Sequence, residues 1–176
     1  MRSKVKYFIL IILIIVSAIR ITVLNINAKD YKLKIENYKV GDTFVIKGYE
    51  YIIDGYSIVD ADEMERLCGY RDERIEGKYA IVDMRYRKLN DDKSSPVVEF
   101  YLNSGTWNNG NNLQATMQLN SKTNENKEGD YTEYKQVFNL NKVLFTRSGW
   151  DKVDSRKYRL KYNFTYPYII YVNLWE

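Results

Sequence analysis

The chain contains no histidine. That removes the side chain used most often as a general base and as a metal ligand. It has one cysteine, Cys68, so no intrachain disulfide can form, and zinc sites built on cysteine and histidine are excluded by count. Cys68 has no histidine base to activate it and reads as a small buried hydrophobe. A serine nucleophile would depend on lysine instead. Within residues 21–176 no S-x-x-K occurs, and the Ser-Gly pairs at 104–105 and 148–149 lack the G-x-S-x-G context. Walker and dinucleotide glycine patterns are missing. The 23 acids provide carboxylate pairs of the kind glycoside hydrolysis needs, but nothing in the sequence selects one. These absences argue against an enzyme and call for no cofactor.

A surplus of charge in the folded part is also lacking. The formal net charge is +4, and Arg2, Lys4, Lys6 and Arg20, with no acid among residues 1–20, account for all of it. The remaining chain is neutral, which argues against nucleic acid as a partner, since that needs a cationic footprint.

The basic start leads into an apolar run from Tyr7 to Val16, the pattern of a secretory signal. Val16-Ser17-Ala18 fits a cleavage site. An uncleaved anchor fits as well: the run reaches Ile19, short of the roughly 20 residues a span needs, and extends to Leu24 if Arg20 snorkels. Either way the positive-inside rule leaves the remainder outside the cytoplasm, at the cell membrane or secreted. Residues 1–24 are thus read as signal or membrane anchor, 25–38 as a tether or loose first strand, and 39–176 as one domain.

That domain is rich in strand chemistry, with 17 Tyr and 6 Phe in the chain and only 2 Pro. Val40–Thr43 reads as a turn, and Phe44 to Val59 as strands around Gly48 and Gly55. Asp60 to Glu76 suggests a short helix capped by Asp60 or Asp62, with Met64, Leu67 and Cys68 on one stripe. Gly77 to Leu89 is the clearest strand: Ala80, Val82, Met84 and Tyr86 share one face, Asp83, Arg85 and Arg87 the other. Residues 90–96 read as a turn and 97–102 as a strand. Leu113, Ala115, Met117 and Leu119 alternate with polar residues at period two, again strand-like. Residues 120–135 read as an exposed loop, Val137-Phe138 and Val143–Phe145 as short strands, and 157–165 and 168–175 as two closing strands. Seven to nine short strands at this spacing indicate an all-β antiparallel sandwich, with a barrel as the second choice.

VGDTF at 40–44, the aromatic strand at 49–59, GKYAIVDMRYRKLNDD at 77–92 and YLNSG at 101–105 resemble the telokin-like, immunoglobulin-like domains of uncharacterised Gram-positive surface proteins. The resemblance spans about residues 38–175. It implies an immunoglobulin-like β-sandwich on the cell surface and brings no catalytic residues with it. The chain departs from the pattern in lacking a lipobox cysteine and in the basic residues Arg147 and Lys152 of a late loop.

Three features offer chemistry. The acids Asp60, Asp62, Glu63 and Glu65 are hard oxygen ligands suited to calcium, but do not match an EF-hand, and a solvated helix start explains them more simply. In the stretch from Arg156 to Tyr162, cations alternate with aromatic and apolar residues. Phosphates or wall polymers would suit it, yet a wet face and a dry face account for the alternation. Trp107 and Trp150 fall in expected loops, where a sandwich often carries its binding residues. They are the candidate binding residues, against the alternative that they cap the core. The expected function is an extracytoplasmic binding module. Its partner would be an envelope protein, or alternatively a surface glycan or wall polymer, with the membrane engaged through the N-terminal segment.

Overall fold

The computed structural model describes residues 2–28, 32–73, 76–89, 95–96, 99–122, 127–128, 130–165 and 167–175. The apolar N-terminus forms a helix, α1 (Arg2–Ala28). Its described side chains are exposed all round, as expected of a helix with no polar face to turn outward. Among the described residues no helix is long and apolar enough to cross a membrane.

Ten strands follow: β1 (Lys34–Lys39), β2 (Thr43–Ile46), β3 (Tyr49–Val59), β4 (Gly77–Lys88), β5 (Tyr101–Ser104), β6 (Trp107–Gly110), β7 (Lys127–Glu128), β8 (Tyr131–Asn141), β9 (Arg159–Thr165) and β10 (Tyr168–Asn173). They build two five-stranded sheets, ordered β1-β10-β9-β5-β6 and β2-β3-β4-β8-β7. The chain crosses between sheets after β1, β4, β6 and β8, so neither sheet is a simple meander. The segment read as a tether or loose first strand contributes β1, paired in parallel with β10; the other pairings are antiparallel. The expected β-sandwich is present.

Period-two alternation supplies the main core between the sheets. Phe44, Tyr51, Ile53, Ala80, Val82 and Met84 come from one sheet; Leu102, Leu160, Tyr162, Ile170 and Val172 come from the other. The tight β2–β3 connection at Lys47-Gly48 has positive φ at both residues, 47° and 77°, as a two-residue hairpin of this hand requires. The turn expected at Val40–Thr43 is closed by Lys39 and Asp42, whose carboxylate accepts from the Lys39 amide at 2.8 Å.

A second, smaller core lies on the far side of β4. Tyr79, Ile81 and Val137 are covered there by α2 (Ala61–Cys68) and α3 (Leu113–Lys122). Helix α2 forms where expected: Asp60 accepts from the Glu63 amide at 2.8 Å, and Gly69 ends the helix at φ 75°. Met64 and Cys68 point inward, whereas Leu67 is exposed.

Helix α3 corrects the strand expected from Leu113 to Leu119. Its buried positions are Ala115, Thr116 and Leu119, at helical spacing, and Leu113 and Met117 are left exposed. Asn112 starts the helix by accepting from the Ala115 amide at 3.0 Å. The helix also closes the edge of β8 that β7 leaves unpaired. Thr116 Oγ1 accepts from Val137 N at 3.0 Å, and Asn120 bonds both the amide and the carbonyl of Lys135. Polar residues at spacing four along α3 thus serve as the neighbouring strand that is missing.

Other expectations shift locally. Val143–Phe145 falls on a 3-10 turn rather than a strand, and the loop from Arg147 is a helical turn, α4 (Arg147–Trp150), capped by Thr146. Most of the loop expected at 120–135 is the end of α3, β7 and the start of β8. Of the turn expected at 90–96, residues 90–94 lie outside the described residues; of the strand expected at 97–102, residues 97 and 98 do, and within the rest strand pairing begins only at Tyr101, the start of β5.

Replacing Thr116 by Val keeps the volume and leaves the buried Val137 amide without its acceptor. The expected cost is about 1–3 kcal/mol of unfolding free energy by urea titration, with Thr116→Ser closer to the parent. Equal stability of Val and parent would show that the edge bond carries no weight.

Candidate functional site

Trp107 and Trp150 are 43 positions apart, and the fold brings them to one ring cluster. Trp107 stands on β6 rather than in a loop. Its register opposite the buried Ser104 turns it toward the core. Trp150 ends α4. Phe145 lies between them, its ring centroid 5.2 Å from that of Trp107 and 5.8 Å from that of Trp150. Beneath them the fully buried Tyr158 meets Trp107 edge-on at 6.2 Å. The Arg156 guanidinium sits 5.3 Å from the Phe145 centroid and donates to Ser104 Oγ at 3.2 Å. Both tryptophans are half-buried, and the Trp107 indole N–H is buried with no acceptor among the described residues. Successive ring planes are inclined by 31° and 56°, so the rings make a folded cluster and not a flat strip. Just before Phe145, Val143 and Leu144 are 78% and 55% exposed. Phe145, the residue that unites the site, carries no motif, and its sequence marks it only as part of a short strand.

The acids considered for calcium each have a partner in the chain. Glu63 pairs with Arg66 at 2.6 Å, Asp62 and Glu65 both pair with Arg71 at 2.8 Å, and Asp60 caps α2. Among the described residues no three acidic or cysteine side chains gather closely enough to hold a metal ion. A groove of about 460 Å³ on the outer face of β3, β4 and β8 is likewise bridged from within: Arg85 grips Asp54 with two nitrogens, and Lys135 pairs with Asp83. Beside it Arg87 binds Glu50 at 2.6 Å. The Tyr131 hydroxyl and Arg87 together hold the Glu50 carboxyl below its ordinary range.

The basic–aromatic stretch divides as the alternation requires. Tyr158, Leu160 and Tyr162 are buried, and Lys157, Arg159 and Lys161 face outward.

These features define a β-sandwich domain with a half-buried aromatic cluster packed on its core. No family model matches the chain, and no curated protein matches it in sequence. Among solved structures it is similar to an uncharacterized β-sandwich protein from Clostridium difficile 630, at 11% identity and a TM-score of 0.47, over 82% of this chain and 97% of that one.

Several tyrosines hold their protons more tightly in the fold than in water. Burial raises Tyr158 well above the ordinary tyrosine value, slightly offset by the positive charge of Arg156, and its hydroxyl donates to the Val153 carbonyl at 2.8 Å. Burial also raises Tyr56, Tyr79 and Tyr134. Groups with a raised folded pKa give stability that is intact below the unfolded value and is lost as pH climbs past it. The melting temperature should therefore hold up to about pH 9 and fall above about pH 10. Tyr158→Phe should melt lower at pH 7, by about 1 kcal/mol for its lost bond, and show a shallower alkaline fall. An alkaline profile unchanged by this substitution would remove Tyr158 from the account.

Proposed function

We propose that this chain is a binding module working outside the cytoplasm, tethered to the membrane or secreted, that engages a protein partner in the cell envelope. The observation that carries this reading is the exposure of Val143 and Leu144 beside the Trp107–Phe145–Trp150 cluster. A flat row of rings would suit a sugar chain. Inclined rings next in sequence to exposed aliphatic side chains suit a protein surface better. Trp107 and Trp150 shape and stiffen this apolar patch more than they offer their own faces. Location is supported by α1, whose apolar side chains have no wet face, and by the basic residues at its start. The immunoglobulin-like character of the sandwich belongs to the same proposal, supported by sheets that are antiparallel except at the β1–β10 pair and by the repeated crossings between them. Binding in place of catalysis is supported by the lack of histidine and by the internal pairing of the conspicuous carboxylates.

A photo-crosslinking residue at position 143 of the full chain, expressed in its native envelope, should yield a discrete protein adduct, and Leu144→Ser should reduce it about tenfold. No adduct, or one untouched by Leu144→Ser, would sink the protein-partner reading. Intact mass tests location separately: a full-length species in membranes, or one starting at Ile19 in the medium, is expected. A full-length species confined to the cytosol would overturn it.

A further inference from the structure

The sheet β1-β10-β9-β5-β6 turns one face to the core. Among the described residues no helix covers the other, since α2 and α3 pack on the opposite sheet. The strand register sorts its outward side chains into rows. One row runs Lys39, Asn173, Arg159, Asn103, Asn108 across all five strands. The next runs Asn37, Tyr171, Lys161, Tyr101. Beyond the first row Lys157 stands 5.9 Å from the Trp175 ring centroid. Strand spacing makes this surface about 19 Å across.

Its charge is one-sided. Among the described residues these strands turn three cations outward and no carboxylate, and Lys157 adds a fourth just before β9. Glu36 of β1 lies on the opposite alternation, bonded by the Tyr38 hydroxyl; the exposed Glu99 stands two residues before β5, as Lys157 stands two residues before β9, so the face keeps a surplus of cations with one acid at its margin. The other sheet and its helices differ. There Arg66, Arg71, Arg85, Arg87 and Lys135 all meet carboxylates, whereas Lys39, Lys157, Arg159 and Lys161 have no salt bridge among the described residues. Among the described residues, then, the cations of the helix-covered sheet are paired with acids, and those on the outward side of this sheet are not.

That face is prepared for a particular chemistry. The Arg159 guanidinium lies 4.3 Å from the Tyr171 centroid, and its Nε donates to Asn103 Oδ1 at 3.0 Å, so its orientation is fixed. Its terminal nitrogens can form paired bonds to a carboxylate or phosphate. The asparagine amides of the first row offer donors and acceptors in the alternation that vicinal hydroxyls need. Attraction to a lipid surface requires point charges alone and would leave the asparagine row without a role.

We propose that this face binds an anionic glycan, a chain of sugar rings carrying carboxylate or phosphate groups. The surface is distinct from the apolar patch at Val143 and Leu144, so this site does not depend on the protein-partner reading.

The test uses the full chain in nonionic micelles, titrated calorimetrically with polygalacturonate, with neutral dextran and with polyglutamate. Polygalacturonate should bind and dextran should not. The Lys157→Gln/Lys161→Gln pair, which alters exposed tips and should leave the melting temperature unchanged, should weaken binding about tenfold or more. Asn108→Ala, which removes an exposed amide of the first row and leaves Arg159 and the lysines in place, should weaken polygalacturonate without affecting polyglutamate. No binding of polygalacturonate, or binding indifferent to the lysine pair, overturns the site. Equal responses of both polymers to every variant would reduce it to bare charge attraction and overturn the glycan. Displacement of the polymer by phosphatidylglycerol doped into the micelles would assign the face to the membrane instead.

Discussion

The double burial of β4 is the constraint on which the other elements depend. Tyr79, Ala80, Ile81 and Val82 are all buried, so both faces of this strand are covered along four consecutive residues. Ala80 and Val82 are covered by the facing sheet, as in any sandwich. Tyr79 and Ile81 need something else, and α2 and α3 meet that need. Helix α3 can lie there because Thr116 and Asn120 complete the edge of β8, and α2 because Asp60 and Gly69 terminate it within eight residues. Removing either helix would leave Tyr79 and Ile81 as an exposed apolar strip at the centre of the sheet. At the start of the strand, a methyl group on Gly77 would overlap the Leu140 carbonyl, so β8 is drawn close where the helices begin their cover.

Covering one sheet also divides the charge. On α2 and on β3, β4 and β8 the acids Asp62, Glu63, Glu65, Glu50, Asp54 and Asp83 are all paired with arginines or a lysine. The Arg85–Asp54 pair bridges β3 and β4 near the bulge after Ile53, and Lys135–Asp83 bridges β4 and β8. Exposed pairs such as these add little stability individually, about 0–1 kcal/mol. Their larger consequence is to neutralise the cations on their own side, whereas the cations of β9 have no salt bridge among the described residues.

Elements whose chemistry agrees at every level were legible in the sequence. The strand from Gly77, the cap at Asp60, the turn at Gly41 and the closing pair of strands all follow local rules. Helix α3 was not legible, because Leu113, Ala115, Met117 and Leu119 alternate like a strand, and only the unmatched edge of β8 decides otherwise. That edge belongs to a strand that starts nine residues after α3 ends, so no window over α3 contains the reason. The candidate site was half legible. Both tryptophans could be singled out by type, but their meeting depends on Phe145 and on the register of β6 against β5. The cationic face was read as a wet strand face, correctly for β9 taken alone. Its rows of asparagine and tyrosine come from four other strands, and no single stretch of sequence displays them.

The connection between α1 and the sandwich limits what each surface can reach. Five residues separate Ala28 from Lys34, and an extended chain spans at most about 3.5 Å per residue, so β1 begins within about 20 Å of the end of α1. β1 then pairs in parallel with β10, the partner of β9, which ties this short lead directly to the cationic sheet. Val143 and Leu144 follow β8, a strand of the opposite sheet. If α1 holds the chain at a membrane, the polar, cationic sheet is the one whose edge strand is held near that surface by the short lead. The apolar patch has no such restraint in the chain. A polymer lying along the envelope would then be met by the sheet nearest the tether, and a protein would be met by the patch reached through the other sheet. The two surfaces share no residue, so a substitution confined to one leaves the side chains of the other in place.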